Sequence, residues 1–416
     1  MTLRAVTRPV EELSGAETTC SVVNSPESGG RFVWWHEGAG LVASGVAARI
    51  AIGTGPGRLA KAADEVAAVL AGIEVDDPLE LPGTGPLAMG AIPFLDDQEG
   101  ELIVPALVAG RDDEGRAWVT EVGDAERVAP GGGGGSAGPA GPEPTSFVVE
   151  SEGGRLAWTG SVRRALDRIG RGEMEKVVLA RRVTVWGDQP FSIPVVAQRL
   201  RRAHPSCFTF VTPGGFVGAS PELLLRRRGR WAWSRPMAGT VERGGSKAED
   251  RRLVAQLRAS PKEHDEHRLV VEDVRQRLAR VCPEVFVKGP ELVGLSSVTH
   301  LATSVTARLG TPAPTALELV AALHPTPAVG GEPREAALGA ISELEGFDRG
   351  LYAGPVGWVD RRGDGDWAVA LRCAQIDGRR AVLWAGAGIV AGSDPESEWT
   401  ETQAKLEPML RALVRV

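Results

Sequence analysis

Short apolar stretches separated by glycine-containing turns recur along this chain, and they restrict the folds that it can adopt. In the C-terminal part, strand-like stretches are joined by turns such as Arg362-Gly363-Asp364-Gly365. Short turns of this kind connect strands that run in opposite directions. Helical stretches lie between the strands without regular alternation. The pattern predicts an antiparallel α+β architecture rather than a doubly wound one.

The predicted elements lie on both sides of a glycine-rich segment. Strands are expected at residues 32–35, 41–43, 49–52, 176–185, 208–211, 216–218, 223–227, 231–234, 297–308, 352–360, 367–373 and 381–385. Helices are expected at residues 59–70, 162–170, 194–203, 248–259, 262–281, 332–345 and 395–413. These assignments rest on the spacing of apolar residues, which differs between strands and helices.

The glycine-rich segment covers residues 130–145 and reads PGGGGGSAGPAGPEPT. Such a composition cannot bury apolar surface, so it predicts a flexible surface loop. The loop separates residues 1–129 from residues 146–416, and both parts can belong to one fold because a long loop costs little closure entropy. The first part contains no cluster of potential catalytic residues. We expect it to support the second part, which carries the catalytic groups.

Bulk composition excludes several classes of protein. Hydrophobic residues make up 43% of the chain and charged residues 24%, which is the balance of a soluble globular protein. The formal net charge of −7 argues against a nucleic-acid role. The Arg226-Arg227-Arg228 run lies beside a glycine and is interpreted as an exposed turn rather than a basic groove.

Cysteines and apolar runs bear on the compartment. Cys20, Cys207, Cys282 and Cys373 are far apart and form no CxxC pair, which argues against a zinc site and a disulfide framework. The N-terminus lacks the apolar core of a signal peptide, and no run of about 18 apolar residues occurs. We expect a soluble, cytoplasmic protein that does not bind membranes.

Two predicted helices each carry a pair of glutamates three residues apart. Glu263 and Glu266 form one pair, and Glu398 and Glu401 form the other, with Lys405 one turn further on. Residues at this spacing share one helix face. Facing pairs would form an oxygen-rich site for a hard divalent cation such as Mg²⁺. By spacing alone, however, each pair also fits an ordinary exposed helix face.

Several other residues are candidates for chemistry. The small residues 385–388 lie before the last helix, where backbone N–H groups could approach an anion, although a tight turn explains them equally well. Glu222 lies between apolar runs, so burial should raise its pKa as a general acid requires. Lys176 opens an apolar strand and is either a buried base or an ordinary strand-end lysine. His264 and His267 have no third ligand nearby and are expected at the surface.

Nine ordered motifs together resemble the chorismate-utilising enzymes, which include the isochorismate, anthranilate, aminodeoxychorismate and salicylate synthases. The likeness runs from about Leu156 to the C-terminus. The motifs are EKVVLARR, FVGASPELLL, RPMAGTVERG, PKEHDEHRLVVEDV, SSVTHLATSV, LHPTPAVGG, RGLYAGPVGWVD, LRCAQI and AGAGIVAGSDPESEWTETQAKL. The resemblance implies a four-layer α/β/β/α sandwich with two large antiparallel sheets and an active site in the cleft between them.

The resemblance also implies roles for the candidate residues. Glu266 and Glu401 would bind Mg²⁺ directly, and Glu263 and Glu398 would act through metal-bound water. The small-molecule substrate chorismate would be held by a group of residues on the cleft. The implied substrate-binding residues are Thr240, His300, Ala328, Arg372, Gly386, Ala387, Gly388 and Lys405.

The choice among the family's reactions depends on the attacking nucleophile. Isochorismate and salicylate synthases resemble this chain in having lysine at the position of Lys176, where the amine-using members usually have glutamine. Ala238 stands where many aminodeoxychorismate synthases place a nucleophilic lysine, so no covalent adduct is expected. Val241 replaces an arginine that is common in relatives, and the resemblance assigns no consequence to this difference.

The expected activity is therefore Mg²⁺-dependent isochorismate synthesis, with Lys176 as base and Glu222 as acid, feeding menaquinone or siderophore biosynthesis. Two alternatives stay open. A salicylate synthase would go on to eliminate pyruvate, and a catalytically silent homologue would bind chorismate without turnover. Because water is the expected nucleophile, no glutamine amidotransferase subunit is expected. A monomer or weak dimer is expected, since no long amphipathic helix lacks a partner.

Overall fold

The computed structural model describes residues 3–10, 31–124, 143–243, 246–295 and 298–414. Most of the glycine-rich segment, residues 130–142, lies outside these ranges. The described strands are β1 Leu3–Val10, β2 Arg31–His36, β3 Ala39–Ser44, β4 Ala48–Ile52, β5 Glu74–Asp76, β6 Leu87–Ala91, β7 Gly100–Val104, β8 Leu107–Arg111, β9 Ala117–Asp124, β10 Phe147–Ser151, β11 Lys176–Gly187, β12 Phe208–Val211, β13 Phe216–Ser220, β14 Leu223–Arg228, β15 Trp231–Arg235, β16 Met237–Glu242, β17 Glu284–Gly294, β18 Val298–Arg308, β19 Gly331–Glu332, β20 Pro355–Asp360, β21 Gly365–Val369, β22 Cys373–Asp377 and β23 Arg380–Val390.

The strands form two large sheets. The first has 13 strands, in the order β10-β11-β23-β22-β13-β12-β2-β3-β8-β9-β1-β5, with β19 paired to β11. The second has 10 strands, in the order β16-β18-β15-β14-β21-β20-β6-β7-β4, with β17 paired to β18. Pairing is antiparallel throughout the described sheets except between β1 and β5. The antiparallel α+β prediction is confirmed.

Eight helices are present in the described residues. They are α1 Arg58–Ala71, α2 Gly154–Gly170, α3 Ile193–Ala203, α4 Lys247–Ala259, α5 Pro261–Ala279, α6 Ala316–Leu323, α7 Arg334–Glu345 and α8 Pro395–Leu413. Helices α2, α3, α7 and α8 pack on the first sheet, and α1, α4, α5 and α6 pack on the second. This arrangement is the expected four-layer α/β/β/α sandwich. None of the helices in the described part of the chain is both long and apolar enough to cross a membrane.

Local sequence determines where the functional helices begin. The Ser260 side chain accepts a hydrogen bond from the Glu263 N–H and caps α5, and proline follows at the first helical position. The Asp394 side chain caps α8 in the same way, again followed by proline. Both glutamate pairs therefore lie in the first two turns of a capped helix. The predicted bounds of α8, residues 395–413, are confirmed.

Two predicted strands differ from the structure. The strand expected at 352–360 begins only at Pro355, and the one expected at 367–373 is in fact two strands, β21 and β22. Between these two strands Arg372 adopts φ 49°, a left-handed conformation that interrupts the extended chain. The sequence prediction also missed α6. Leu317, Leu319 and Val320 of this helix are all fully buried, so it shows no amphipathic period.

The arginine run proves to be part of the core-facing strand β14, so the prediction of an exposed turn is wrong. Nη1 of Arg227 lies 3.0 Å from Oδ1 of Asp364, and both side chains are buried. Arg226 and Arg228 both pair with Asp366, at 2.9 and 2.8 Å. Acidic residues on the neighbouring hairpin therefore neutralise the run.

A buried ion pair ties the end of α7 to β11 of the first sheet. The Arg349 and Glu345 side chains, each 1% exposed, are paired across the C-terminal end of α7, four residues apart. Arg349 also donates to the carbonyls of Val178 (2.7 Å) and Val329 (2.8 Å), and the Ala180 N–H donates to Glu345 (2.7 Å). These bonds fix β11 and the loop before β19 in one arrangement.

Substitution Arg349→Lys should lower the free energy of unfolding by about 2–3 kcal/mol, because an ammonium group cannot satisfy the carboxylate and both carbonyls together. Urea unfolding monitored by tryptophan fluorescence measures the change. Arg411→Lys is the matched control, since Arg411 forms an exposed pair with Glu407 at the same separation of four residues. The control should change stability by less than about 0.5 kcal/mol. Equal effects of the two substitutions would contradict the prediction.

Candidate active site

A cavity lies where β11 and β23 of the first sheet face β16 and β18 of the second. It encloses roughly 640 Å³ of space, part of it open to solvent. Nine of the predicted site residues line it: Glu222, Thr240, Glu266, His300, Ala328, Arg372, Gly386, Gly388 and Lys405. Both sheets contribute, so residues far apart in sequence meet in this one cavity.

Lys176 lies at the start of β11 with its side chain fully buried. Its Nζ is 2.9 Å from Oε1 of Glu266, which comes from α5 on the other side of the cleft. Gly388 lies between them on β23, where an added Cβ would be 2.2 Å from Oε1 of Glu266 and 3.1 Å from Cε of Lys176. The absence of a side chain at position 388 is therefore what allows the lysine and the carboxylate to meet.

The small-residue run has a different conformation from the one expected. Residues 385–388 lie inside β23, which continues to Val390, and not in a turn leading to α8. The predicted position directly ahead of a helix N-terminus is therefore wrong, and anion binding by these residues stays a prediction. Successive residues of a strand face opposite sides. Accordingly, Gly386 and Gly388 line the cavity, whereas Ala387 is buried in the core.

Thr240, His300 and Arg372 form a hydrogen-bonded row along the cavity. Thr240 and His300 are direct partners across β16 and β18, and Oγ1 of Thr240 is 3.0 Å from Nδ1 of His300. Nη2 of Arg372 is 3.2 Å from Nε2 of His300. Burial, reinforced by the charge of Arg372, holds the pKa of His300 well below its usual range. A neutral imidazole accepts from Arg372 at Nε2 and donates to Thr240 at Nδ1, which fixes the guanidinium.

Glu222 lies between β13 and β14, and 4% of its surface is exposed. Burial raises the pKa of its carboxyl to about 7, although the positive charges of Lys176 and Arg372 oppose the shift. The backbone is held by Ser220, whose hydroxyl accepts from the Glu222 N–H at 3.2 Å. The raised pKa expected from the apolar flanks is present. Near neutral pH this carboxyl can carry a proton and donate it.

The four glutamates are paired with lysines. Nζ of Lys262 lies 2.9 Å from Oε1 of Glu398 and 3.5 Å from Oε1 of Glu263. The second oxygen of Glu263 accepts from the Thr240 N–H at 2.8 Å. Glu401 pairs with Lys405 one turn away on α8. We refer to Glu263, Glu266, Glu398 and Glu401 together with Lys176, Lys262 and Lys405 as the lysine–glutamate cluster.

Burial and neighbouring charges shift the pKa of three of these carboxyls. Burial and the charge of Glu401 raise the pKa of Glu398 to about 7. Burial and the charge of Glu266 likewise raise the pKa of Glu263. Burial would raise the pKa of Glu266 as well, but the charge and hydrogen bond of Lys176 bring it below its ordinary value. Burial thus disfavours the charged form of Glu263 and Glu398, whereas Lys176 favours the charged form of Glu266.

This donor set fits a hard divalent cation. All four candidate ligands are carboxylates, which Mg²⁺ and similar ions prefer. In the described residues no three Asp, Glu, His or Cys side chains converge on a single metal position. The four glutamates are instead turned toward lysines or, for Glu263, a backbone N–H as well. A bound cation would take over carboxylate oxygens that the lysines now hold.

Two residues of the site were not identified from the sequence. Tyr352, the single tyrosine of the chain, lines the cavity, and its hydroxyl would be 3.1 Å from a Cβ added at Gly386. Lys262 belongs to the lysine–glutamate cluster, and its position four residues before Glu266 was a signal that could have been used.

His267, expected at the surface, is buried instead, with Nε2 2.6 Å from Oγ1 of Thr303. Its burial anchors α5 against β18.

Comparison with known proteins agrees with this site. A sequence profile described as chorismate binding enzyme matches residues 136–414. A Mycobacterium tuberculosis protein provisionally named isochorismate synthase MenF is 39% identical over 344 residues, covering 80% of this chain and 87% of that protein. Isochorismate synthase DhbC of Bacillus subtilis is 36% identical over 344 residues, covering 79% of this chain and 81% of that protein.

A solved structure is similar over nearly the whole fold. MenF, the menaquinone-specific isochorismate synthase from Escherichia coli, matches with a TM-score of 0.82 at 27% identity, covering 99% of this chain and 95% of that chain. The family suggested by the nine motifs is thereby confirmed. Because the profile spans about two thirds of the sequence and the relatives cover most of it, the chain belongs to the chorismate-binding enzymes.

Proposed function

We propose that this protein is an isochorismate synthase, which isomerises chorismate to isochorismate with Mg²⁺ as cofactor and supplies menaquinone or siderophore biosynthesis. The observation that carries the proposal is that a fully buried lysine, Lys176, contacts Glu266 on the wall of the cavity that a protonatable buried carboxyl, Glu222, also lines. The two groups have the types that water attack and hydroxyl loss require. The names of the relatives support the same reaction.

The proposed chemistry uses Lys176 as base and Glu222 as acid. Neutral Lys176 accepts a proton from water while the water oxygen bonds to ring carbon 2. Both ring double bonds shift by one position, the bond between carbon 4 and its hydroxyl breaks, and Glu222 gives its proton to the departing oxygen. One water is consumed and one is released, so the reaction is an isomerisation. Ala238 offers no amine near the ring, which supports direct attack by water.

Substrate binding is assigned to cations and small residues on the cavity wall. Arg372, held by His300, would pair with the enolpyruvyl carboxylate next to the open backbone of Gly386 and Gly388. Lys405 donates to the Gly386 carbonyl at 2.9 Å and would assist at the metal end of the substrate. Thr240 and Ala328 would contact the ring, and the backbone of Ala387 would complete the wall.

Enzymes of this family need a metal, and we propose that here it is Mg²⁺. Glu266 and Glu401 would bind it directly, and Glu263 and Glu398 would act through water. When bound, the ion supplies charge neutralisation and orientation for the ring carboxylate of chorismate. The protein's own groups carry the proton transfers. Since the proposed nucleophile is water, no ammonia-delivering partner is needed.

Incubation of the purified protein with chorismate and Mg²⁺ should give isochorismate as the chromatographed product, and EDTA should abolish its formation. Excess Mg²⁺ should restore it, which controls for damage by the chelator. Formation of salicylate and pyruvate would instead show a salicylate synthase. Binding of chorismate without turnover would show a silent homologue, and an ammonia-dependent aminated product would show an anthranilate-type enzyme. Each of these three outcomes contradicts the proposal.

A further inference from the structure

Lys262 is the one lysine of the lysine–glutamate cluster to which the proposed chemistry assigns no task. It lies in the first turn of α5, directly before Glu263, and does not line the cavity. Lys176 is the proposed base and Lys405 lies at the substrate end. A direct contact of Lys262 with chorismate is therefore not indicated.

The position of Lys262 links the two helices that carry the glutamates. Its Nζ lies 2.9 Å from Oε1 of Glu398, so the ion pair joins α5 to α8. The same Nζ is 3.5 Å from Oε1 of Glu263. Lys262 thus contacts one carboxylate from each pair, and these are the two outer carboxylates proposed to act through water.

Because the Glu398 carboxylate is buried, its contact with Lys262 has a large electrostatic effect. The Glu398 side chain is 3% exposed, whereas the Lys262 side chain is 32% exposed. A carboxylate removed from water needs a cation or several donors close to it. In the absence of metal, Lys262 is the cation in hydrogen-bonding contact with Glu398. A metal ion bound among the four glutamates would provide the same neutralisation, so ion and lysine serve the same carboxylates.

We propose that Lys262 is a positioning residue that acts as the built-in counter-ion of the outer carboxylates, holding them across α5 and α8 in metal-free protein and competing with the metal for them. This inference rests on the metal site of the proposed function. It makes two consequences measurable. Removal of the charge should destabilise the metal-free protein, and it should tighten metal binding because the competitor is gone.

The test uses the full-length protein, freed of metal with EDTA and dialysed, and Mg²⁺ alone as ligand. In Lys262→Gln the Tm of the metal-free protein should fall by about 2–5 °C. The Kd for Mg²⁺, measured by calorimetry, should fall roughly 3- to 10-fold. The rise in Tm on adding Mg²⁺ should be larger than in the wild type. A merely structural lysine would lower Tm without tightening Mg²⁺ binding.

Matched variants complete the design. Lys262→Arg keeps the charge and should leave Kd within about twofold of the wild type. Lys288→Gln removes the same charge from an exposed strand position and should leave both Tm and Kd unchanged. Lys262→Met, which retains the aliphatic stem, serves as a second neutral variant should the glutamine variant fold poorly.

The outcomes separate this inference from the proposed function. If the wild type binds Mg²⁺ but Lys262→Gln and Lys262→Met bind it equally or more weakly, the counter-ion role is overturned while the metal site stands. If the wild type neither binds Mg²⁺ nor gains stability from it, the proposed metal site is wrong and the role of Lys262 falls with it. Tighter binding in both neutral variants, with Lys262→Arg unchanged, supports the inference.

Discussion

Replacement of Lys176 by alanine should lower kcat for isochorismate formation by roughly 10³- to 10⁴-fold, the upper range for loss of a general base. The side chain is fully buried against Glu266, which lines the cavity, so no other residue or solvent base can take its place easily. Quenched assays with chromatographic separation of chorismate and isochorismate measure the rate. Lys288→Ala, on an exposed strand, is the control and should retain full activity.

Chorismate should still bind to the Lys176→Ala variant, because Arg372 and Lys405 remain in place. Its Kd should stay within about threefold of the wild type when measured by calorimetry with Mg²⁺ present. Lys176→Met, which preserves most of the side-chain volume, controls for collapse of the space that Lys176 fills. Turnover near the wild-type rate in both variants would rule out Lys176 as the base.

Glu222→Gln should lower kcat by about 10²- to 10³-fold with a smaller change in KM, because the amide keeps the shape of the acid but has no proton to transfer. Glu222→Asp is a useful companion variant. It keeps the acid but withdraws it by one methylene, and should recover part of the rate. A glutamine variant as active as the wild type would show that another group protonates the leaving hydroxyl.

The pH profile of the wild type provides an independent readout of Glu222. Burial raises the pKa of this carboxyl to about 7, so it is protonated below that pH and ionised above it. A general acid must be protonated, and kcat/KM should therefore decline as pH rises through about 7. The decline should be missing from the profile of Glu222→Gln. Persistence of the same decline in the variant would assign it to another residue.

Much of the site was predictable because its residues occur in distinctive local motifs. The glutamate pairs were ambiguous by spacing alone, since two solvated helix faces would look the same. Their flanking motifs identified the family, which the comparisons confirm. Glu222 was also predictable, because apolar residues on both sides of a carboxyl imply burial. In each case the residues directly adjacent in the sequence were enough to support the prediction.

Other features depend on tertiary structure and could not be predicted. Position 388 must be glycine because a Cβ there would collide with the side chains of Lys176 and Glu266. These three residues belong to three separate elements, so the sequence around any one of them does not reveal the contact. The small-residue run looked like a turn because glycine usually interrupts strands, whereas here it continues β23 beside the side chains it accommodates. Tyr352 lies in one of the nine motifs, but its place in the cavity could not be predicted, since it depends on contacts between residues that are distant in sequence.

Each sheet combines strands from the N-terminal part of the chain with strands from the C-terminal part, and this affects how the protein folds during synthesis. Strand β2 pairs with β12, and β6 pairs with β20, so early strands find their partners more than 150 residues later in the sequence. Neither sheet can be completed until most of the chain has left the ribosome. Contacts of such long range make folding slow. During synthesis the early strands therefore expose unpaired edges, a period in which chaperones would protect the nascent chain.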